Sequence, residues 1–202
     1  MNEKELQIRR AWAEAPTRVY IQSRTAFALY ELFLTSKKAW EAEVERVYAA
    51  RLQDVGIEEH LRAGREHLFN LDSIESVRDT AAGAFFVNAN DICQSLAKRV
   101  NLKPGYTLKA GDLFRNGVTF TELAHSAAAN FRHYTGWPSP QGKNEIGILE
   151  AFGIPPDMMG QNVCGLIVQL LKPLNADSLD LMLHKAVNEI GESGIRSLNA
   201  SP

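Results

Sequence analysis

Cysteine is scarce in this chain: 202 residues contain two, Cys93 and Cys164, with no CxxC spacing. A disulfide-stapled scaffold is therefore excluded, and the apolar helical surroundings of both residues predict buried thiols in a reducing compartment. Long apolar runs are also missing. The longest, Val163 to Leu171, is interrupted by Gln169 and stopped by Pro173, well short of the roughly 20 residues that span a bilayer. The first ten residues are charged and lack the apolar core of a signal peptide, so a cytoplasmic protein with no membrane partner is expected. Neither sign of charge prevails. With 22 Lys+Arg against 24 Asp+Glu the net charge is -2, so no global field draws nucleic acid, and any such contact must be local. The sequence has no HExxH, EF-hand loop, GxSxG or GxGxxG, and Gln141-Gly142-Lys143 lacks the rest of a phosphate-binding loop. No metal and no cofactor are expected.

What is present is globular composition, 45% hydrophobic and 23% charged, at a length that buries a core as one domain, 1–202. From about Val19 to Leu52, Ala26, Leu29, Tyr30, Phe33, Trp40, Val44 and Val47 recur at helical spacing, with Glu31, Lys37, Lys38, Glu41, Glu43 and Arg46 on the other face. A shorter helix is expected over Ile57 to Phe69. Asp72-x-x-Glu75 then reads as a capping box opening a second long helix. Its stripe is Ile74, Val77, Ala81, Ala84, Phe85, Asn88, Ile92, Leu96 and Val100, and it ends near Asn101. Turn signals crowd residues 101 to 118, a long connection or a concealed short hairpin. Thr119-x-x-Glu122 caps a third helix, with Val118 placed to staple onto Leu123, running to about Trp137. Helices of about Glu145 to Phe152, Gln161 to Lys172 and Ser178 to Ile190 follow. No segment alternates with the two-residue period of a strand. The expected fold is an all-α antiparallel helical bundle with two long helices and several shorter ones. Its helix length also suits a homodimer that completes the bundle across a two-fold axis.

The chemistry-bearing stretch is the third helix. Phe120, Leu123, Ala124, Ala127, Ala128, Phe131 and Tyr134 fall on one side and form its core face. The other side gathers Glu122, His125, Ser126, Asn130, Arg132, His133 and Trp137, groups that titrate or bind rather than the Lys and Glu of an ordinary solvated face. Two readings fit. One is a working site, with His133 as base and Arg132 as a phosphate ligand; the other is a structural polar network or subunit interface. Glu122 also serves the capping box, and Trp137 covers the helix end before Pro138.

The run Ala-Ala-Asn130-Phe-Arg132-His133 followed by Trp137 resembles a helix of the HEPN-like proteins, over about 20 of the 202 residues. The resemblance implies a helical bundle, often dimeric, whose active members cleave RNA without metal in toxin–antitoxin or phage-defence systems. Carried onto this chain, it makes Asn130, Arg132 and His133 the catalytic residues. Glu122, His125, Ser126 and Trp137 become substrate-binding residues, with RNA and an antitoxin or other protein as partners. The family's usual motif sets His four to six residues beyond Arg, whereas Arg132 and His133 are adjacent. A conventional spacing occurs at Arg62-Ala-Gly-Arg65-Glu-His67, where composition alone predicts about one match. The competing expectation is a non-catalytic helical interaction protein whose polar helix face forms a dimer or partner interface.

Overall fold

The computed structural model describes residues 3–14, 20–53, 57–105, 107–136, 142–173 and 175–199. Seven α-helices occur among the described residues: α1 (Glu3–Glu14), α2 (Tyr20–Gln53), α3 (Ile57–Arg99), α4 (Phe120–His133), α5 (Lys143–Phe152), α6 (Cys164–Leu171) and α7 (Ala176–Asn199). The all-α bundle is thus as expected, and none of these helices is long and apolar enough to cross a membrane.

Neither glycine nor proline interrupts Tyr20–Gln53, so α2 runs for 34 residues, about 51 Å at the α-helical rise. The second long helix departs from expectation. Ile57–Arg99 is continuous over 43 residues, and Asp72 lies exposed within it rather than capping a new start. No proline interrupts this span, α2 packs alongside it, and Glu75 pairs with Arg78 at 3.0 Å instead of reaching back to Asp72. Tertiary packing thereby overrides a local capping signal. The helix stops at Asn101, whose φ of +61° lets Leu102 N–H donate back to the Ala97 carbonyl at 2.9 Å.

The proximal halves of α2 and α3 sit in the core. Ala26, Tyr30 and Phe33 of α2 are buried, as are Ala82, Phe85, Phe86, Ala89, Cys93, Leu96 and Ala97 of α3. The expected α3 stripe holds from Phe85 onward. Earlier it is rotated: Val77 is exposed, while Leu71 and Arg78 point inward. Leu149 and Phe152 of α5, Ile167 and Val168 of α6, and Leu179, Leu183, Ala186, Val187 and Ile190 of α7 complete the core. Helix α7 extends two turns past its expected end through Gly191 and Gly194 because these residues admit the Trp12 ring and Val100 directly against its backbone. Helix α1, which had no sequence signal assigned to it, packs there and donates from Trp12 Nε1 to Asn188 Oδ1 at 2.5 Å.

The connection between α3 and α4 conceals a hairpin of the smallest kind. Phe114 N–H donates to the Val118 carbonyl at 2.7 Å and Phe120 N–H to that of Asp112 at 2.9 Å, around left-handed Asn116 and Gly117. It is anchored where Thr121 Oγ1 donates to the Leu108 carbonyl at 2.6 Å and Gly111 N–H donates to Glu189 Oε2 at 2.7 Å. This anchoring presents Thr119 at the start of α4.

Candidate functional site

Helix α4 begins as predicted. Glu122 N–H donates to Thr119 Oγ1, and Thr119 N–H donates to Glu122 Oε2 at 2.9 Å. Beyond that turn the helix is enclosed on almost every side. Phe120, Leu123, Ala124, Ala127 and Ala128 are fully buried, but so are Ser126 and Asn130 on the side read as the working face. That side is not a free surface. Helix α3 covers it from one direction, α5 from another, and the loop leading into α6 from a third.

Two of its residues join three from α3 and α5 in a chain across the three helices. His125 Nδ1 lies 3.2 Å from Asn90 Oδ1, and its Nε2 lies 3.4 Å from Glu145 Oε1 in the first turn of α5. Asn90 Nδ2 donates to Asp91 Oδ1 at 3.2 Å, and Arg132 Nη2 donates to both Asp91 carboxylate oxygens at 3.0 and 3.1 Å. Both nitrogens of His125 therefore face oxygen acceptors, and the ring ties α3 to α5 through α4. The network is not closed. Glu145 Oε2 and Ser126 Oγ are buried without a hydrogen-bond partner among the described residues.

Asn130 is separate from this chain. Its Oδ1 accepts from Val163 N–H at 3.0 Å, and its Nδ2 donates to the Gln161 carbonyl at 3.0 Å and to that of Met159 at 3.4 Å. With both ends of the amide engaged at zero exposure, Asn130 holds protein backbone and does not share an accessible site with Arg132 and His133. Those two residues are exposed at the last turn of α4. Glu122 is committed to the cap, with Oε1 3.5 Å from Lys109 Nζ at the edge of an open groove of about 440 Å³ that Thr107, Asn144 and Ile148 also line. Trp137 lies outside the described residues. Arg62 is exposed near the start of α3, and the His67 side chain lies outside the described residues. Thus the structure brings His125 and Arg132 into one network, leaves His133 at the surface, and sends Ser126 and Asn130 inward.

Sequence reasoning did not single out Asn90, Asp91 and Glu145, which complete the network, because their meeting is a matter of helix packing rather than spacing. The polar pair Asn90-Asp91 beside the core stripe of α3 is the signal that pointed there. A second buried polar cluster was also missed. Arg78, almost wholly buried, packs its guanidinium 4.0 Å over the Phe33 ring and donates to Asp79 Oδ1 from Nε at 2.8 Å. A Cβ at Gly165 would collide with both Arg78 and Asp79, so α6 seats its first turn directly on this pair. Burial outweighs Arg78 and raises the Asp79 carboxyl above its ordinary range. Among the described residues, no group of three His, Cys, Asp or Glu side chains is placed to hold a metal ion.

Fold and site together define an all-α bundle from which one long antiparallel helical pair extends. No protein-family model, no curated protein and no solved structure matches the chain.

Proposed function

We propose that this chain is a non-catalytic helical interaction protein whose docking surface is the distal half of the α2–α3 pair. The observation that carries this reading is a stretch whose described side chains are all at least partly exposed. From residue 34 to residue 70 none of the side chains whose surroundings are described is buried, although Trp40, Val44, Val47, Tyr48, Leu61, Leu68 and Phe69 all lie there. Tyr48 is 64% and Phe69 72% exposed. Two helices side by side cover only their shared seam, and a stripe of this kind on an arm marks an interaction site. The polar face of α4, expected to form that interface, is instead engaged within the chain. The buried thiols suit a cytoplasmic setting.

A photo-crosslinking residue placed at Tyr48, with a control at the exposed Leu181 of α7, tests the reading. Adducts are expected from Tyr48 and none from Leu181; an absence of adducts from Tyr48 overturns it.

A second reading, the metal-independent ribonuclease or RNA-binding effector, draws on one observation: Arg132 and His133 stand exposed side by side at the end of α4. In it an RNA phosphate takes the place of Asp91 on Arg132, and His133 removes the 2′-hydroxyl proton. An antitoxin-type protein would then be a natural partner. Incubation of wild type and His133→Ala with structured RNA in EDTA decides this. Cleavage by wild type alone favours the ribonuclease, and intact RNA in both leaves the interaction protein.

A further inference from the structure

We propose that the occupant of the arm is a second copy of this chain, the two arms closing into a four-helix bundle; this rests on the reading of the arm as a docking surface. The groove is built from both helices. Trp40, Val44, Val47 and Tyr48 supply one wall at spacings of four, three and one, and Leu61, Gly64, Arg65 and Leu68 supply the other at spacings of three, one and three. Those are the spacings of knobs-into-holes packing. Nothing stands within 4 Å of where a Gly64 side chain would begin, so the wall has an open hole for an incoming knob.

The size also suits a dimer. About 18 residues of each helix at 1.5 Å per residue, two helices wide at about 10 Å each, give a footprint of roughly 540 Å² per copy. Two copies bury about 1,100 Å², which clears the ~1,000 Å² expected of a specific interface.

Charge suits a second copy and disfavours a polyanionic occupant. Residues 36–53 carry four basic and three acidic side chains, whereas 57–75 carry two basic and five acidic. A two-fold axis running along the arm sets each α2 against the α3 of the other copy, antiparallel, so the net-positive helix meets the net-negative one. The combined arm is net acidic, the wrong sign for an RNA backbone or an anionic bilayer.

Sedimentation velocity on wild type and on the double variant Tyr48→Glu with Leu68→Glu tests the proposal, with circular dichroism confirming that both are folded. Both positions are well exposed, so the variant keeps the fold of the single chain. Wild type is expected at twice the 22.4 kDa chain mass, and the variant at half the wild-type value. A monomeric wild type at micromolar concentration, or a variant that stays dimeric, overturns the proposal. Crosslinks from Tyr48 separate the two claims. Adducts between two copies of this chain support both. Adducts only to a different protein overturn the second copy and leave the docking surface standing. An absence of adducts ends both.

Discussion

Truncating Asn130 to alanine strands the buried Val163 N–H and frees the carbonyls of Met159 and Gln161 from their shared donor. An unpaired buried donor costs about 1–3 kcal/mol, so Asn130→Ala is expected to destabilise the fold by about 2–3 kcal/mol, read as a lowered urea midpoint at unchanged m-value. Arg132→Ala is different in kind. Its partner Asp91 is as exposed as Arg132 itself, and pairs of that sort contribute little. The sequence placed these two residues together because they lie two positions apart. Their fates diverge because 200° of helical rotation turns one toward the α6 loop and the other toward solvent.

At the scale of the element, Asp72 separates local signal from packing. Were it an N-cap, Asp72→Ala would cost about 1 kcal/mol. As an exposed residue inside a continuous α3 it is expected to gain about 0.5 kcal/mol from the better helix former, and thermal unfolding distinguishes the two signs. The same helix explains what was legible. Phe85, Ile92, Leu96 and Val100 were read correctly because several helices enclose that half. Val77 was misassigned because the face that packs there is chosen by Arg78, which lies over Phe33 and against the first turn of α6. Thr119-x-x-Glu122, by contrast, was readable from sequence, since both hydrogen bonds of a capping box are local.

For the whole molecule, the two cysteines report opening of the fold. Burial pushes the Cys93 thiol up to about 12, and that of Cys164 is also raised, chiefly by burial with Asp79 adding to it. Ellman's reagent at about pH 8 is expected to label neither thiol in the native protein and both in denaturant, since thiolate is the reactive form. Acid titration gives a second global readout. The carboxyls of Asp79 and Asp180 are both raised, principally by burial, against the opposing pull of Arg78 and of the Ser23 hydroxyl respectively. A raised acid favours the folded state while protonated. That contribution is complete below the ordinary aspartate range near ~3.9 and is lost as pH rises through the folded value. Asp180→Asn is therefore expected to remove part of the decline in stability with rising pH, measured as the variant's urea midpoint minus that of wild type across this range.

Helix content, the capped start of α4, the apolar stripe of α7 and the burial of both thiols were determined by the sequence alone, because each depends on composition or on neighbours within two turns of helix. The continuity of α3 through Asp72, the meeting of Asn90, His125 and Glu145, and the inward turn of Asn130 were decided only by tertiary structure. So was the open groove between Trp40 and Leu68. Each of these depends on which helices lie against a given face, and residues far apart in sequence are brought to that face only when the bundle closes.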